Sequence, residues 1–164
     1  MKILLIDDDQ IFHILLKEVL KESGHEIFLS SGPHEGIVMY EDVMPDLVLL
    51  DVHMPEMSGC EVAPILKDIA KERDKFIPII FFTSSNDDHE LVNCLDSGGD
   101  DLINKPFNEN LLEVKLRVWE RNIKLINEEK MAPPPGLSSC NHSNLSEDEL
   151  HDLLVSHEKY SNSN

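Results

Sequence analysis

Acidic residues follow two apolar stretches that have the character of buried strands. Asp7 and Asp8 come directly after the run Lys2–Ile6, and Asp51 closes the run Leu47–Leu50. Continuous apolar runs of this length are typical of parallel strands that are buried on both faces. In open α/β sheets, ligands bind beyond the carboxyl ends of such strands. We therefore expect the three carboxylates to converge in one cleft and to carry the chemistry of the chain.

Three carboxylates in one cleft resist ionisation unless a cation compensates their charge. Mg²⁺ is the natural partner because it prefers octahedral oxygen sites and usually takes one or two carboxylates. The pattern favours Asp8 and Asp51 as direct ligands, with Asp7 acting through water, and the backbone carbonyl of His53 offers a further oxygen. The alternative for the aspartate run is a charged loop that caps the first helix, and Asp9 is assigned to that cap.

Two further strand ends contribute a hydroxyl and an ammonium group. Thr83 ends the fourth apolar run, and Lys105-Pro106 follows the fifth. Beside a carboxylate–Mg²⁺ site, a hydroxyl donor and a cation suit an incoming phosphoryl group, whose oxygens need their charge balanced. An aspartate such as Asp51 can act as the nucleophile and form an acyl phosphate. Each residue alone has an ordinary structural explanation, but the combination on four strand ends indicates phosphoryl chemistry.

The elements that position these residues alternate as strand and helix five times. That alternation predicts an α/β fold with a parallel sheet covered by helices on both faces, and five strands favour the known doubly wound order 2-1-3-4-5. Pro64 lies inside the third helical pattern and predicts a kink or a late start. The predicted strands span 2–6, 26–30, 47–51, 78–83 and 101–104, and the predicted helices span 10–23, 33–43, 59–72, 86–97 and from 108 onward.

The ordered set of motifs resembles the receiver domain of bacterial two-component response regulators, which predicts such a domain over residues 1–122. The matching stretches are Ile6-Asp7-Asp8, Leu50-Asp51 with Met54-Pro55 and Gly59, Phe82-Thr83-Ser84, and Lys105-Pro106-Phe107. As an ordered set, these stretches are highly specific. The resemblance implies a flavodoxin-like receiver fold and a phosphoacceptor module that signals through altered protein–protein contacts.

The resemblance also implies how the cleft is used. Asp51 would accept a phosphoryl group from a sensor histidine kinase or a histidine phosphotransfer protein. Mg²⁺ would be held by Asp7, Asp8, Asp51 and the backbone carbonyl of His53. Self-phosphorylation and slow self-dephosphorylation are expected, without turnover on a separate substrate.

The resemblance further implies a switch, in which Thr83 moves toward the phosphoryl group and Lys105 pairs with it. The Lys105–Pro106 peptide bond would be cis. The family usually has Tyr or Phe three residues before the lysine, whereas this chain has Leu102, which lacks the area and hydroxyl of the ring. Leu102 leaves open a pseudo-receiver, an interaction module that phosphorylation does not switch. A phosphohydrolase of the haloacid-dehalogenase type is disfavoured, because such enzymes carry a second aspartate where this chain has His53.

The composition argues against other classes of function. The net charge of −18 repels nucleic acid, so direct binding to nucleic acid is not expected. Membrane insertion is not expected either, since no apolar run is long enough, and the absence of a signal peptide pattern predicts a cytoplasmic protein. Cys60, Cys94 and Cys140 form no metal-ligand pattern, so we expect them to be reduced thiols.

The fifth helix is predicted to continue beyond the receiver domain over residues 123–130. Ile123 and Ile126 would then need cover from the tail or from a second chain in a homodimer. Residues 131–145 form a Pro/Ser/Asn-rich linker, and residues 146–164 are expected to form a short amphipathic helix and a disordered end. No output domain is recognised, which leaves the downstream protein target open and fits either a stand-alone regulator or a piece of a longer protein.

Overall fold

The computed structural model describes residues 1–20 and 23–131, where five strands and five helices alternate along the chain. The predicted α/β fold is therefore confirmed. The strands are β1 (Lys2–Ile6), β2 (Glu26–Ser30), β3 (Leu47–Asp51), β4 (Ile79–Thr83) and β5 (Asp101–Asn104). The helices are α1 (Gln10–Val19), α2 (Pro33–Val43), α3 (Gly59–Glu72), α4 (Asp88–Asp96) and α5 (Glu109–Met131).

The five strands form one parallel sheet in the predicted order β2-β1-β3-β4-β5. β3 is central and pairs with β1 on one side and with β4 on the other. The register places Asp51 opposite Phe82 and places Thr83 opposite Asn104. Because the strands are parallel, the carboxyl ends of β1, β3, β4 and β5 lie together at one end of the sheet.

The sheet separates two hydrophobic cores, which explains the unalternating apolar strands. On one face, strand residues pack with Tyr40 of α2 and Leu66 of α3. On the other face, they pack with Leu16 of α1 and Leu116 of α5. Every residue of β3 and β4 is buried, since both faces of these strands are covered by helices.

The first helix is shorter than its sequence pattern predicts. α1 ends at Val19 rather than near residue 23. Both the backbone N–H and the hydroxyl of Ser23 donate to the carbonyl oxygen of Leu20, so the chain turns there. Gly24 has a φ of +70°, the left-handed conformation that glycine adopts readily beyond a helix.

The start of α4 differs from the predicted one, whereas the start of α3 agrees with it. α4 begins at Asp88, two residues later than predicted, because the side chain of Asp87 caps it and accepts a hydrogen bond from the N–H of His89 at 2.9 Å. α3 begins at Gly59 as predicted and continues through Pro64. The late start that the proline suggested is therefore not found.

The expectation that the cysteines are reduced is wrong for two of them. Cys60 and Cys94 are joined by a disulfide bond, with their Cα atoms 5.0 Å apart. This pairing was not predicted, because 34 residues separate the two cysteines and no local pattern connects them. α3 and α4 cover the same face of the sheet, where Cys94 is buried in the core and Cys60 packs against it. Cys140 lies outside the described residues.

The fifth helix continues beyond the sheet, as predicted, and reaches Met131. Ile123 is only 9% exposed. Ile123 is thus already buried in this structure, and cover of this stretch by the tail or by a second chain stays a prediction. Near the end of the helix, the Lys130 ammonium donates to the carbonyl oxygen of Asp74 at 2.6 Å, which holds this part of α5 against the turn between α3 and β4.

The remaining predictions about the C-terminal region concern residues that the structure does not describe. The predicted linker, apart from Met131, and the predicted helix within residues 146–164 lie outside the described ranges. Within residues 1–20 and 23–131, no helix is both long and apolar enough to cross a lipid bilayer.

Candidate functional site

Asp51 occupies the centre of the candidate site, at the carboxyl end of the central strand. It is 5% exposed, and the next residue keeps the strand pairing because the N–H of Val52 donates to the carbonyl oxygen of Phe82 at 2.9 Å. The chain then returns to the strand, since the N–H of Gly59 donates to the carbonyl oxygen of Val52 at 3.0 Å. A Cβ atom on Gly59 would overlap the backbone carbonyl of Asp51. This close approach accounts for a glycine at the start of α3.

Asp7 and Asp8 reach the same cleft from the end of β1. Asp7 is fully buried, and one of its carboxylate oxygens accepts a hydrogen bond from the N–H of Asp9 at 2.8 Å. Its backbone carbonyl accepts a bond from Nε2 of the buried His13, also at 2.8 Å. Asp8 is exposed at the mouth of the cleft. One carboxylate oxygen from each of Asp7, Asp8 and Asp51 lies within 4.8 Å of the other two.

Asp9 stands apart from this cluster, as its assignment to the helix cap predicts. Its side chain accepts hydrogen bonds from the N–H groups of Ile11 and Phe12, at 2.8 and 3.3 Å. The cap fixes the start of α1 directly after β1. Of the three consecutive aspartates, two therefore belong to the cleft and one to the helix.

Lys105 links the two buried carboxylates. Its ammonium group lies 2.7 Å from a carboxylate oxygen of Asp7 and 2.7 Å from one of Asp51. The same nitrogen lies 4.2 Å from the centroid of the Phe12 ring, close enough for a cation–π interaction. The Lys105–Pro106 peptide bond is cis. The lysine thus supplies the positive charge that the carboxylate cluster needs.

An aromatic cluster beneath the lysine was not predicted from the sequence. The rings of Phe12, Phe82 and Phe107 meet edge to face, with centroids 5.0 to 5.6 Å apart. Of the three, the Phe12 ring lies against the Lys105 ammonium and covers one side of it. The helical spacing in α1 could have indicated that Phe12 is buried, but its position beneath the lysine depends on contacts across the sheet.

Burial and charge pairing shift the pKa values of the central pair. Burial raises the pKa of Asp51 above its ordinary value, although the hydrogen bond from Lys105 opposes that shift. For Lys105, burial favours the neutral amine, but the hydrogen bonds and charges of Asp51 and Asp7 raise its pKa above the ordinary value. The lysine is thus held as a cation, while the carboxyl of Asp51 binds a proton more readily than an exposed aspartate does.

Thr83 is fully buried at the end of β4, and its hydroxyl begins a chain of hydrogen bonds to α4. The hydroxyl oxygen of Thr83 accepts a bond from the N–H of Ser85 at 3.0 Å, and the hydroxyl oxygen of Ser85 accepts one from the N–H of Asp87 at 3.1 Å. Asp87 in turn caps α4. Neither the Asp87 cap nor this connection was predicted from the sequence, because both depend on the conformation of the loop.

His53 and Leu102 lie at the border of the site. The imidazole of His53 is directed to α4, with Nε2 2.7 Å from a carboxylate oxygen of Glu90, and so joins the loop after β3 to that helix. Leu102 is half-buried in β5 and packs against the hydrophobic core on the α3 and α4 face. Neither the His53–Glu90 contact nor the packing of Leu102 follows from the sequence motifs.

The donor set of the cluster fits a small, hard divalent cation. Asp7, Asp8 and Asp51 offer carboxylate oxygens, and no sulfur or imidazole ligand belongs to the group. Oxygen-only sites suit Mg²⁺, whereas sites with thiolates or imidazoles favour zinc and other transition metals. The cluster can therefore hold a metal ion of the kind expected, with Lys105 beside it.

Comparisons with known proteins agree with this architecture. The family model for the response regulator receiver domain matches residues 3–117. The transcriptional regulatory protein AfsQ1 of Streptomyces coelicolor is 33% identical over 115 residues, which cover 70% of this chain and 49% of that protein. The alkaline phosphatase synthesis transcriptional regulatory protein PhoP of Bacillus subtilis is 33% identical over 117 residues, which cover 71% of this chain and 46% of that protein. The chain spans about half the length of the curated relatives it matches.

A solved structure gives the same result for the whole domain. A two-component response regulator from Clostridium difficile superimposes with a TM-score of 0.69 at 30% sequence identity, covering 74% of this chain and 96% of that one. The fold, the matched residues and the acidic cluster thus agree with one another. This chain belongs to the response regulator receiver domain family, whose members are signalling modules.

Proposed function

We propose that Asp51 accepts a phosphoryl group and that the resulting acyl phosphate is the signal this domain transmits. One observation carries the proposal: Asp51 is a buried carboxylate bonded to Lys105, and Asp7 and Asp8 lie in the same cleft. A buried structural aspartate needs one cation, but this site gathers three carboxylates around a single lysine. Such an excess of negative charge suits a cleft that receives a metal ion and a phosphoryl group.

The transfer itself requires little from the protein beyond position and charge. A carboxylate oxygen of Asp51 attacks the phosphorus of a phosphohistidine, and the new O–P bond forms as the N–P bond breaks. The imidazole nitrogen of the donor keeps the bonding electron pair. The Lys105 ammonium pairs with the phosphoryl oxygens, and the Thr83 hydroxyl donates to one of them.

Mg²⁺ is the proposed cofactor. Asp7, Asp8 and Asp51 would hold it through their carboxylates, and the backbone carbonyl of His53 would contribute a further ligand. When bound, the ion balances the negative charge of the carboxylates and of the phosphoryl oxygens. The all-oxygen donor set of the cluster supports this assignment.

The proposed output is a change in the surface around α4. A Thr83 hydroxyl that turns toward a phosphoryl group breaks its bond with Ser85, and Ser85 is bonded to the residue that caps α4. Leu102, at the switch position, repacks beside the same helix. Because the outer side of α4 is exposed, a protein partner that binds there can detect such a change.

The proposed partners follow from the family. A sensor histidine kinase or a histidine phosphotransfer protein supplies the phosphoryl group, and a downstream protein reads the result. A homodimer stays an expectation, as do a cytoplasmic location, the absence of direct nucleic acid binding and the boundary of the receiver domain at residue 122. Self-phosphorylation and slow self-dephosphorylation are the only reactions proposed at Asp51, without turnover on a separate substrate.

The pseudo-receiver has less support than the phosphoacceptor. Leu102 was the only feature that favoured a pseudo-receiver. The cleft, by contrast, holds a complete acidic and cationic site, formed by Asp7, Asp8, Asp51, Thr83 and Lys105. A module without phosphorylation would have no use for the desolvated cluster, whose mutual repulsion costs stability.

The test is intact-mass spectrometry of the full chain after incubation with Mg²⁺ and acetyl phosphate, and separately with a phosphorylated histidine kinase. We expect one phosphoryl adduct on the wild-type protein and none on Asp51→Asn. The exposed Asp42 of α2 provides a matched control, since Asp42→Asn makes the same chemical change away from the cleft. Its labelling should equal that of the wild type.

A chelator arm tests the metal requirement, because EDTA should abolish the adduct in every sample. Absence of an adduct with both donors would overturn the phosphoacceptor assignment. Equal labelling of Asp51→Asn and the wild type would place the modification on another residue and would have the same consequence.

A further inference from the structure

Cys60 and Cys94 form the only disulfide among the described residues, and it joins two elements beside the candidate site. Cys60 is the second residue of α3 and Cys94 is near the end of α4. Their Cα atoms are 5.0 Å apart, within the range that a disulfide requires without backbone movement. The two helices therefore hold the cysteines at bonding distance.

The two cysteines differ in access to solvent. Cys94 is fully buried, and its backbone carbonyl accepts a hydrogen bond from the Ser97 hydroxyl at 2.7 Å. Cys60 is partly exposed and lies in the first turn of α3. A small reagent can thus reach Cys60 first, and Cys94 is then the second thiol, which reacts with Cys60.

The bond lies between the acceptor loop and the helix that carries the proposed output. Directly before Cys60, the N–H of Gly59 is bonded to the Val52 carbonyl, one residue after Asp51. At the other side, α4 is connected to Thr83 through Ser85 and the Asp87 cap. The disulfide therefore ties α4 to the start of α3, which is itself hydrogen-bonded to the residue after Asp51.

We propose that Cys60 and Cys94 are a reversible redox site, and that their disulfide holds α4 in place and opposes phosphorylation of Asp51. The coupling to Asp51 rests on the proposed function, whereas the redox site does not. A reversible pair also reconciles the disulfide with the cytoplasmic location proposed above, because disulfides in reducing compartments are usually transient and redox-sensing.

The oxidation is a thiol–disulfide exchange with a low-molecular-weight disulfide such as glutathione disulfide. The Cys60 thiolate attacks one sulfur of that reagent, which forms a mixed disulfide and releases the first glutathione thiolate. The Cys94 sulfur then attacks the Cys60 sulfur, which forms the Cys60–Cys94 bond and releases the second. Two electrons pass from the protein sulfurs to glutathione, and the two protons end on the glutathione thiols.

The effect on Asp51 follows from the connection between Thr83 and α4. If Thr83 turns toward a phosphoryl group, the loop that leads to α4 must adjust with it. A covalent bond from α4 to α3 resists that adjustment, so the phosphorylated conformation is less favourable in the oxidised protein. By linkage, phosphorylation must make the disulfide harder to form by the same factor.

The redox site is tested by a titration that does not depend on phosphorylation. The full chain with Cys140→Ala is equilibrated in buffers of increasing ratio of glutathione disulfide to glutathione, alkylated and weighed. We expect the two alkyl groups that mark the free thiols to be lost in one transition, and a cross-linked peptide that contains Cys60 and Cys94 to appear with it. The matched variant with Cys94→Ala in addition should stop at the mixed disulfide on Cys60. Full alkylation of both cysteines in every buffer, or accumulation of mixed disulfides alone, would overturn the redox site.

The coupling is tested by labelling the oxidised and the reduced protein with acetyl phosphate and Mg²⁺. We expect the oxidised form to carry at least about fivefold less phosphoryl adduct at equal times, the lower end of typical coupling between sites. Cys60→Ala should label equally with and without oxidant. Equal or greater labelling of the oxidised wild type would overturn the coupling. No labelling of either form by acetyl phosphate, and none by a phosphorylated histidine kinase, would refute the coupling together with the proposed function, and the glutathione titration would still decide the redox site.

Discussion

Replacing Lys105 by methionine is the sharpest test of the charge balance in the cleft. Lys105→Met keeps most of the apolar stem and removes the only cation that the structure places between Asp7 and Asp51. The side chains of the two aspartates are 1% and 7% exposed, so water can replace the lost ammonium only in part. We therefore expect a large loss of stability rather than the small effect of a surface charge.

The magnitude follows from the burial of the partners. Removing one member of a buried ion pair typically costs about 3–5 kcal/mol. Lys105 is 21% exposed, so some water reaches the variant cleft, and the lower end of about 3 kcal/mol applies. With a urea m-value of about 2 kcal/mol per molar, the midpoint of unfolding should fall by about 1.5 M.

The assay is urea unfolding at neutral pH without metal, followed by circular dichroism. The matched control is Lys124→Met on α5, where the lysine side chain is 69% exposed and pairs with Glu120 one helical turn away. That pair should contribute at most about 0.5 kcal/mol. The double variant Lys105→Met with Asp51→Asn should recover part of the loss, because one of the two stranded carboxylates is gone.

Mg²⁺ binding provides a second test of the charge balance in the cleft. Without the ammonium of Lys105, the cluster should bind the ion more tightly, so a given Mg²⁺ concentration should stabilise Lys105→Met more than the wild type. A ligand at about 100 times its Kd adds about 2.7 kcal/mol. The reasoning would be refuted if Lys105→Met lost no more stability than Lys124→Met. It would also be refuted if Mg²⁺ stabilised Lys105→Met and the wild type equally.

Three further predictions concern Asp51 and the backbone next to it. Gly59→Ala should destabilise the domain by about 1–3 kcal/mol, because the added methyl group overlaps the Asp51 carbonyl. As the control, Gly32→Ala should change the free energy of unfolding by no more than about 0.5 kcal/mol, because a Cβ there meets nothing within 4 Å. Both variants are measured by thermal unfolding, and equal effects would contradict the close approach of Gly59 to the Asp51 carbonyl. Mg²⁺ affinity, measured by calorimetry, should fall as the pH is lowered from about 7 to about 4, since the raised pKa of Asp51 lets protons compete with the ion; a constant affinity would argue against Asp51 as a ligand. The same raised pKa means that the folded state binds more protons than the unfolded state in this window, so the contribution of Asp51 to stability should decrease as the pH rises.

The sheet and the positions of the reactive residues could be predicted because they depend on patterns along the chain. Unalternating apolar runs mark strands that are covered on both faces, and β1 and β3 have such runs. Once these strands are parallel neighbours, Asp7 and Asp51 must emerge side by side. The end of β4 likewise brings Thr83 to the same place. Simple rules of strand direction and order therefore lead directly to the site.

Contacts between distant elements could not be predicted in the same way. The disulfide between Cys60 and Cys94 depends on how α3 and α4 are turned about their axes, which strand order does not determine. The ring of Phe12 beneath Lys105 and the burial of Ile123 depend equally on side-chain packing. These features belong to the tertiary structure, and no short motif in the chain encodes them.

The hydrogen bond between Lys105 and Asp7 joins residues 98 positions apart in the sequence. Such a contact closes a long loop, which costs conformational entropy. The contact is therefore favourable only when the strands between the two residues are already paired in the sheet. During synthesis, the acidic residues of β1 and β3 leave the ribosome well before the lysine that neutralises them. A nascent chain that ends before β5 thus carries an uncompensated cluster of carboxylates. The full set of charges in the cleft can therefore exist only in a domain whose sheet is complete.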